Sequence, residues 1–448
     1  MDSSVTAQPA TGVATPSHLQ MLDLTDIAPE QGVANLMATA IRLQASDLFI
    51  SANEQHTSAQ VRYLGQVEPL AILTPEQGSR YIQHIRAEAG MGPDRRHPQD
   101  GRLIYQVDAY EPVDLRVSVV PTLHGDDMAI RLLLHNANLL SLDRLGMTPQ
   151  QLELYRSILD QPGGMILMTG PTGSGKTVTL YASLIALNDG TRKIHTIEDP
   201  VEYDIDGLHQ SQVNPAIELS PAELLRGVMR QSPDVIMLGE VRDPHTADAA
   251  VRAANSGVLV LTTIHAPTAA EAIQSLRGFG VPAAFVASSL RCVLNARLLR
   301  TLCPVCREAV VTEAPNQDGE CFQCIEEYFP INTSQPMVRY LPHGCDQCRN
   351  TGYATRIGAF EVMPISERMR ELILKHRPPS RLRAQAAREG MMTLRQAAML
   401  KAAHGLTTVD EVRRVIPESP APPPPPPKPP STRTPRMSGA GPRAEMLG

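Results

Sequence analysis

The octapeptide "GPTGSGKT", residues 170–177, constrains this chain more than any other stretch. It has the form G-x-x-x-x-G-K-[ST], and its flanks are as informative as its letters. The apolar run "GMILMTG", 164–170, leads into it, and "VTLYASLIALN", 178–188, leads out with helical character. A strand that delivers a glycine turn to the start of a helix aims backbone N–H groups, and the positive end of that helix, at phosphate. The expected nucleotide-binding residues are therefore Gly170, Pro171, Thr172, Gly173, Ser174, Gly175, Lys176, Thr177 and Val178. Lys176 is expected to reach the β- and γ-phosphates of ATP, and Thr177 to hold Mg²⁺.

Three further apolar runs follow: "KIHTIED" (193–199), "DVIMLGE" (234–240) and "VLVLTTIH" (258–265). Short continuous apolar runs alternating with helical patterns predict an α/β domain around a buried parallel sheet. In such a sheet the ligand lies at the carboxyl ends of the strands. That rule selects the polar residue closing each run. Glu240 closes one strand and is expected to act on Mg²⁺ through water. "TIEDPVEY", 196–203, offers Glu198, Asp199 and Glu202, carboxylates placed to orient an attacking water, with Pro200 fixing the turn. His265 ends the fourth run and is expected to sense the γ-phosphate or relay to a subunit interface.

The remaining sequence divides around this core. Residues 1–30 are rich in Ser, Thr, Pro and Ala and are expected to be a disordered tail. Residues 31–135 read as a small α+β domain, with a helix at 33–41, a strand-turn-strand at "SAQVRYLGQVEPL" and two strands at 114–121 and 128–134. A linker spans 136–150. Helical patterns return over 351–416, and a Pro-rich tail of disordered or polyproline type fills 417–448. No internal repeat is found. The net charge of −6 and 4% aromatic content, with no basic run in the core, argue against a nucleic-acid partner. No stretch has the length and apolarity of a membrane span, and the N-terminus lacks a secretory pattern, so a cytoplasmic location is expected. Seven cysteines include three CxxC pairs, Cys303/Cys306, Cys321/Cys324 and Cys345/Cys348, which in such a setting suggest metal or redox chemistry. Cys292, inside an apolar run, reads as a core thiol.

The four runs taken in order resemble the secretion ATPase superfamily, and most closely the type II secretion and type IV pilus assembly ATPases. The phosphate loop is one matching box. The others are "TIEDPVEY…QVN" (196–214), "RQSPDVIMLGEVRD" (230–243) and "TTIHAPTAAEAIQSL" (262–276), with the likeness extending over about 31–416. The resemblance implies a RecA-like ATPase core at 151–300, an N-terminal PAS-like domain that closes over the nucleotide, and a homo-hexameric ring. It implies that Arg102, Arg116 and Arg131 reach the phosphates, that Glu240 and Glu202 orient water, and that Arg242 and Asp243 line the same wall. It also implies a zinc module at 301–350 built on Cys303, Cys306, Cys345 and Cys348. The middle pair has no counterpart in that pattern. It is left as spare thiols, as a partner exchanging with the main site, or as a second ion or disulfide site. The histidine box departs from the family by reading "HAPTAA". The extra N-terminal domain of larger relatives is not expected in the roughly 30 residues ahead of the first domain. The implied role is a motor at the inner face of the cytoplasmic membrane, peripheral through its partners and acting with an inner-membrane platform protein. It would drive pseudopilus or pilus assembly. A retraction or DNA-uptake pilus ATPase and a nucleotide-binding scaffold are the alternatives.

Overall fold

A computed structural model describes residues 19–92, 94, 96–107, 112–134, 140–312 and 337–417. Cys321 and Cys324, and the tail beyond 417, lie outside the described residues.

The first unit is a six-stranded antiparallel sheet with two helices. Its elements are α1 (Pro29–Arg42), β1 (Asp47–Ala52), β2 (Thr57–Tyr63), β3 (Gln66–Leu73), α2 (Pro75–Glu88), β4 (Gln99–Tyr105), β5 (Val113–Thr122) and β6 (Gly125–Leu133), in the sheet order β3-β2-β1-β6-β5-β4. Burial alternates residue by residue along β2 and through most of β5, so one face is packed and the other is not. The packed face joins Leu48, Ile50, Val61, Leu115, Val117 and Ile130 to Leu36, Ile41 and Ile85 of the helices. The expected tail ends earlier than residue 30. Leu19 and Leu24 are buried in this same core, and the Leu22 amide donates to Leu70 O at 2.8 Å. Apolar side chains spaced along that segment pair it with β3, which a compositional reading passes over.

The second unit holds a seven-stranded sheet. Its elements are α3 (Pro149–Leu159), β7 (Gly164–Thr169), α4 (Lys176–Leu187), β8 (Ile194–Glu198), β9 (His209–Gln212), α5 (Pro221–Met229), β10 (Val235–Leu238), α6 (Pro244–Asn255), β11 (Leu259–Ile264), α7 (Ala269–Gly278), α8 (Ala283–Ser289), β12 (Leu290–Leu302), the ribbon β13 (Glu308–Thr312) and β14 (Met337–Leu341), β15 (Tyr353–Pro364), and the helices α9 (Glu367–Leu374), α10 (Pro379–Arg388), α11 (Leu394–Ala403) and α12 (Val409–Val415). The order is β15-β12-β7-β11-β10-β8-β9, parallel except for β15, which runs antiparallel to β12. Every residue of β7, β8, β10 and β11 is buried. Alternate residues serve two cores: Met165, Leu167, Ile236, Leu238 and Val260 on one face, Ile166, Met168, Val235, Met237, Leu259 and Leu261 on the other. The latter half of the expected linker belongs to this packing, since Leu140, Leu142 and Leu145 are buried in it. The expected helical segment 351–416 opens with the long strand β15, which covers the sheet edge. Among the described residues no helix is long and apolar enough to cross a membrane.

Candidate functional site

The phosphate loop leaves β7 at Thr169 and enters α4 at Lys176. Gly170 sits at φ +143°, and a Cβ there would lie 2.6 Å from Ser174 Oγ and 2.7 Å from Ala296 O. Only glycine lets the loop turn this tightly against β12. Gly175 starts α4 in the left-handed region, at φ 90°. Lys176 Nζ donates to the carbonyls of Gly170 and Pro171, each at 2.9 Å. Burial lowers the Lys176 pKa while the charge of Glu240 raises it, which places both groups in one electrostatic neighbourhood. Ser174 Oγ is buried with no hydrogen-bond partner among the described residues. A free buried hydroxyl, the unpaired first-turn amides of α4 and a half-buried lysine are the donor set a polyphosphate needs. Thr177, expected from the sequence to hold Mg²⁺, lies in that first turn.

The strand ends around the loop are lashed together. Thr169 Oγ1 donates to Ala266 O (2.8 Å), Thr263 Oγ1 to Gly239 O (2.9 Å), and the Gly239 amide to Ile197 O (2.9 Å). This fixes Glu240 beside His265. His265 Nε2 lies 2.8 Å from Glu240 Oε1, and Arg242 Nε donates to Glu240 Oε2 at 2.8 Å. Lys176, Glu240, His265 and Arg242 are thus brought together. Asp243 is used differently: its carboxylate caps α6, accepting from the Thr246 amide at 2.9 Å and Thr246 Oγ1 at 2.6 Å.

The two outer glutamates of the 196–203 box separate. Glu198 is buried, and both its oxygens are taken: Oε2 by the Tyr181 hydroxyl, Oε1 by Thr196 Oγ1 (2.6 Å) and Gln210 Nε2 (3.2 Å). It anchors the chain through these bonds, while the sequence reading grouped it with Asp199 and Glu202 as a carboxylate placed to orient water. Glu202 is partly exposed, four residues past the strand end. The Asp199–Pro200 peptide between them is cis.

Arg102, Arg116 and Arg131 stand on the other sheet and form a line. Arg102 lies directly opposite Arg116, Arg116 opposite Arg131, Arg131 opposite Asp47, and Asp47 opposite Arg62. All five share the face that the helices leave open. Like charges directly opposite destabilise strand pairing. Asp47 relieves one end, 3.2 Å from Arg62 Nε and 3.6 Å from Arg131 Nε, and Asp114 accepts from Arg102 Nε at 2.7 Å. Arg116 Nη2 is buried without a hydrogen-bond partner among the described residues. The row has the composition of an anion site. The hydrogen-bond and ion-pair partners of Arg102 and Arg131 belong to their own sheet. Periodicity could not reveal this alignment, because it exists only in the register between strands.

β12 and β15 run past the sheet to the cysteines. The four Sγ atoms of Cys303, Cys306, Cys345 and Cys348 lie within 4.8 Å of one another. The separations Cys303–Cys345, Cys345–Cys348 and Cys306–Cys348 are 3.9, 3.8 and 3.6 Å. Tetrahedral zinc with Zn–S bonds of about 2.3 Å spaces its sulfurs by about 3.8 Å, so the cluster fits that ion. Amides of Gly344 (to Cys306) and of Cys345 and Gly352 (to Cys348) donate to sulfur at 3.2–3.3 Å, which favours thiolates. Arg349, next to Cys348, reaches the first unit, donating to Arg42 O at the end of α1 and lying over the Tyr63 ring. Cys292 is fully buried, and burial pushes its thiol pKa up, as befits a core residue.

The fold and loop define a phosphate-loop ATPase class with a RecA-like sheet, a smaller α+β domain and a cysteine cluster able to hold zinc. The family model described as "Type II/IV secretion system protein" matches residues 24–414, and the chain belongs to that family, among its type II secretion and type IV pilus assembly ATPases. It is 37% identical over 406 residues to the type II secretion system ATPase E of Vibrio cholerae, covering 90% of this chain and 78% of that one. It is 38% identical over 384 residues to the type IV pilus assembly ATPase PilB of Pseudomonas aeruginosa, covering 86% of this chain and 66% of that one. The solved structure of the Legionella pneumophila ATPase DotB matches with a TM-score of 0.62 at 18% identity, over 89% of this chain and 98% of that one. The pilus retraction motor PilT with bound ADP matches at 0.54 and 23%, over 86% and 96%. These two matches establish the fold.

Proposed function

We propose that this chain is an ATP-hydrolysing motor, a homo-hexamer at the inner face of the cytoplasmic membrane. It works on a platform protein to assemble a pseudopilus in type II secretion or a type IV pilus. The observation that carries the reading is the Glu240–His265 pair, 2.8 Å apart at two lashed strand ends beside Lys176. Lys176 and the loop amides hold the phosphate chain. Thr177 would hold Mg²⁺, which would supply charge neutralisation to the phosphate chain. Glu202 and Glu240 orient the attacking water, and His265 fixes Glu240 and registers the γ-phosphate. The arginine row contributes positive charge as the N-terminal domain closes, an effect on the order of 10³–10⁵ in rate where an arginine meets the transition state. Closure then couples chemistry to domain rotation. The Cys303/Cys306/Cys345/Cys348 cluster would hold a structural zinc, and it is what favours an assembly motor over a retraction motor.

Phosphate release by the assembled wild type against Glu240→Gln tests this. The expectation is steady turnover in the wild type and a loss of about 10²-fold or more in the variant, the size of a general-base contribution. An assembled wild-type ring that binds ATP without turnover sinks the motor reading.

A further inference from the structure

We propose that Tyr181 is a positioning residue for ATP hydrolysis: its hydroxyl holds the backbone at 202–203 and so presents Glu202 to the water. This rests on the reading of Glu202 above.

Tyr181 lies four residues after Thr177 on α4, on the same helix face and one turn on. Its ring is fully buried. Its hydroxyl donates to Glu198 Oε2 and accepts from the Tyr203 amide at 3.2 Å, and the Glu202 amide is the second backbone group acting on that oxygen. Glu198 is held in turn by Thr196 and Gln210. Gln210 grips the same segment, donating from Nε2 to Tyr203 O (2.8 Å) and accepting from the Ile205 amide at Oε1 (2.8 Å). The Tyr203 ring meets the Tyr181 ring edge-on at 5.0 Å.

The held segment, residues 201–205, belongs to no helix or strand. Its place is set by side chains, and the first of them grows from the helix that carries Lys176 and Thr177. Among the described residues the donors on Glu198 are two hydroxyls and an amide, with no cation among its hydrogen-bond partners. Burying a carboxylate on neutral donors is a poor way to gain stability. It is a good way to fix one geometry, since each atom has its partner. One rigid unit then sets Glu202 relative to the phosphate loop. A displacement of about 1 Å there costs on the order of 10² in rate.

The test is steady-state ATP hydrolysis by the full chain as wild type, Tyr181→Phe, Glu202→Gln and the double variant. Phenylalanine keeps the ring and removes only the hydroxyl. The expectation for Tyr181→Phe is a kcat loss of about 10- to 100-fold with KM changed less than about twofold. In the Glu202→Gln background Tyr181→Phe is expected to add nothing, because its effect runs through Glu202. Wild-type kcat in Tyr181→Phe beside an impaired Glu202→Gln overturns the inference alone. The same fold-loss in both backgrounds also overturns it. Wild-type turnover in Glu202→Gln removes the premise and overturns both readings. Should Tyr181→Phe fail to fold, Gln210→Ala loosens the same segment from the sheet edge. A smaller kcat loss at unchanged KM supports the inference, and unchanged kcat overturns it.

Discussion

The two sheets of this protein handle charge in opposite ways. The parallel sheet is covered on both faces, so its strands carry apolar residues throughout and its working groups gather at the carboxyl ends. The antiparallel sheet leaves one face open, and its cations stand in mid-strand, one per strand, in a row. A closed sheet can place function only where strands stop, and a half-open one can place it anywhere along them. β12 and β15 show a third case: they outrun the parallel sheet and end at the cysteine cluster.

The strongest test concerns that extension. It has little core of its own, and four aligned thiolates can supply about 10–16 kcal/mol of apparent zinc binding. Metal analysis is expected to give one zinc per chain. Cys321→Ser with Cys324→Ser keeps it, and Cys303→Ser with Cys345→Ser loses it together with protease resistance over 303–312 and 337–352. Two zincs per chain, or zinc lost with the middle pair, would break the assignment to the outer pairs.

Next in size is the arginine row. Arg116 stands between two other arginines and has a buried nitrogen with no hydrogen-bond partner among the described residues. Arg116→Ala is expected to lower kcat by about 10³-fold or more while leaving Tm unchanged or slightly raised, since like charges opposite one another destabilise the pairing. A lower Tm with normal turnover would mean that the row serves the sheet and not a phosphate.

A matched pair of substitutions contrasts the two regions directly. Glu411 of α12 has a fully buried side chain and accepts from Arg300 and Arg414, with bonds of 2.7–3.0 Å. Burial works against its charge, and those two arginines outweigh it and lower its pKa. Glu411→Gln leaves Arg300 without its counter-ion and is expected to cost about 3–5 kcal/mol. Asp47→Asn, on the open face beside a half-exposed Arg131, is expected to cost about 1 kcal/mol or less. Urea titration of both variants compares them, and equal losses would erase the distinction between the sheets.

The two sheets were also unequally legible in the sequence. The phosphate loop, its four flanking strands and the grouping of Glu240 with His265 could be read because each strand is a short apolar run closed by one polar residue. β12 and β15 could not. "LRCVLNARLL" suits a buried helix as well as a strand, and its partner lies some 60 residues on. The arginines were singled out by likeness to a family, while their alignment depends on register, which no single strand encodes. Glu198 and Glu202 look alike in "TIEDPVEY". Tyr181 of α4 bonds the carboxylate of Glu198, the buried one.

A pH titration asks whether the covered domain tolerates a charge that the open sheet would leave in water. Lys401 of α11 is buried, and its ammonium donates to Gly146 O. Burial lowers its pKa from 10.5 to about 8. Between those values the unfolded chain binds more protons than the folded one, so stability rises with pH across that window. Below about pH 8 the full penalty acts, at most about 3 kcal/mol for a shift of this size. The Gly146 carbonyl, which favours the charged form, reduces it further. Lys401→Met has no such group and lacks this slope. Unfolding measured at pH 7.5 and pH 10 is therefore expected to show wild type gaining on Lys401→Met by about 1–3 kcal/mol as pH rises. Parallel curves would mean that the ammonium is solvated in the folded state, and that the interior of the covered domain is wetter at this point than its packing indicates.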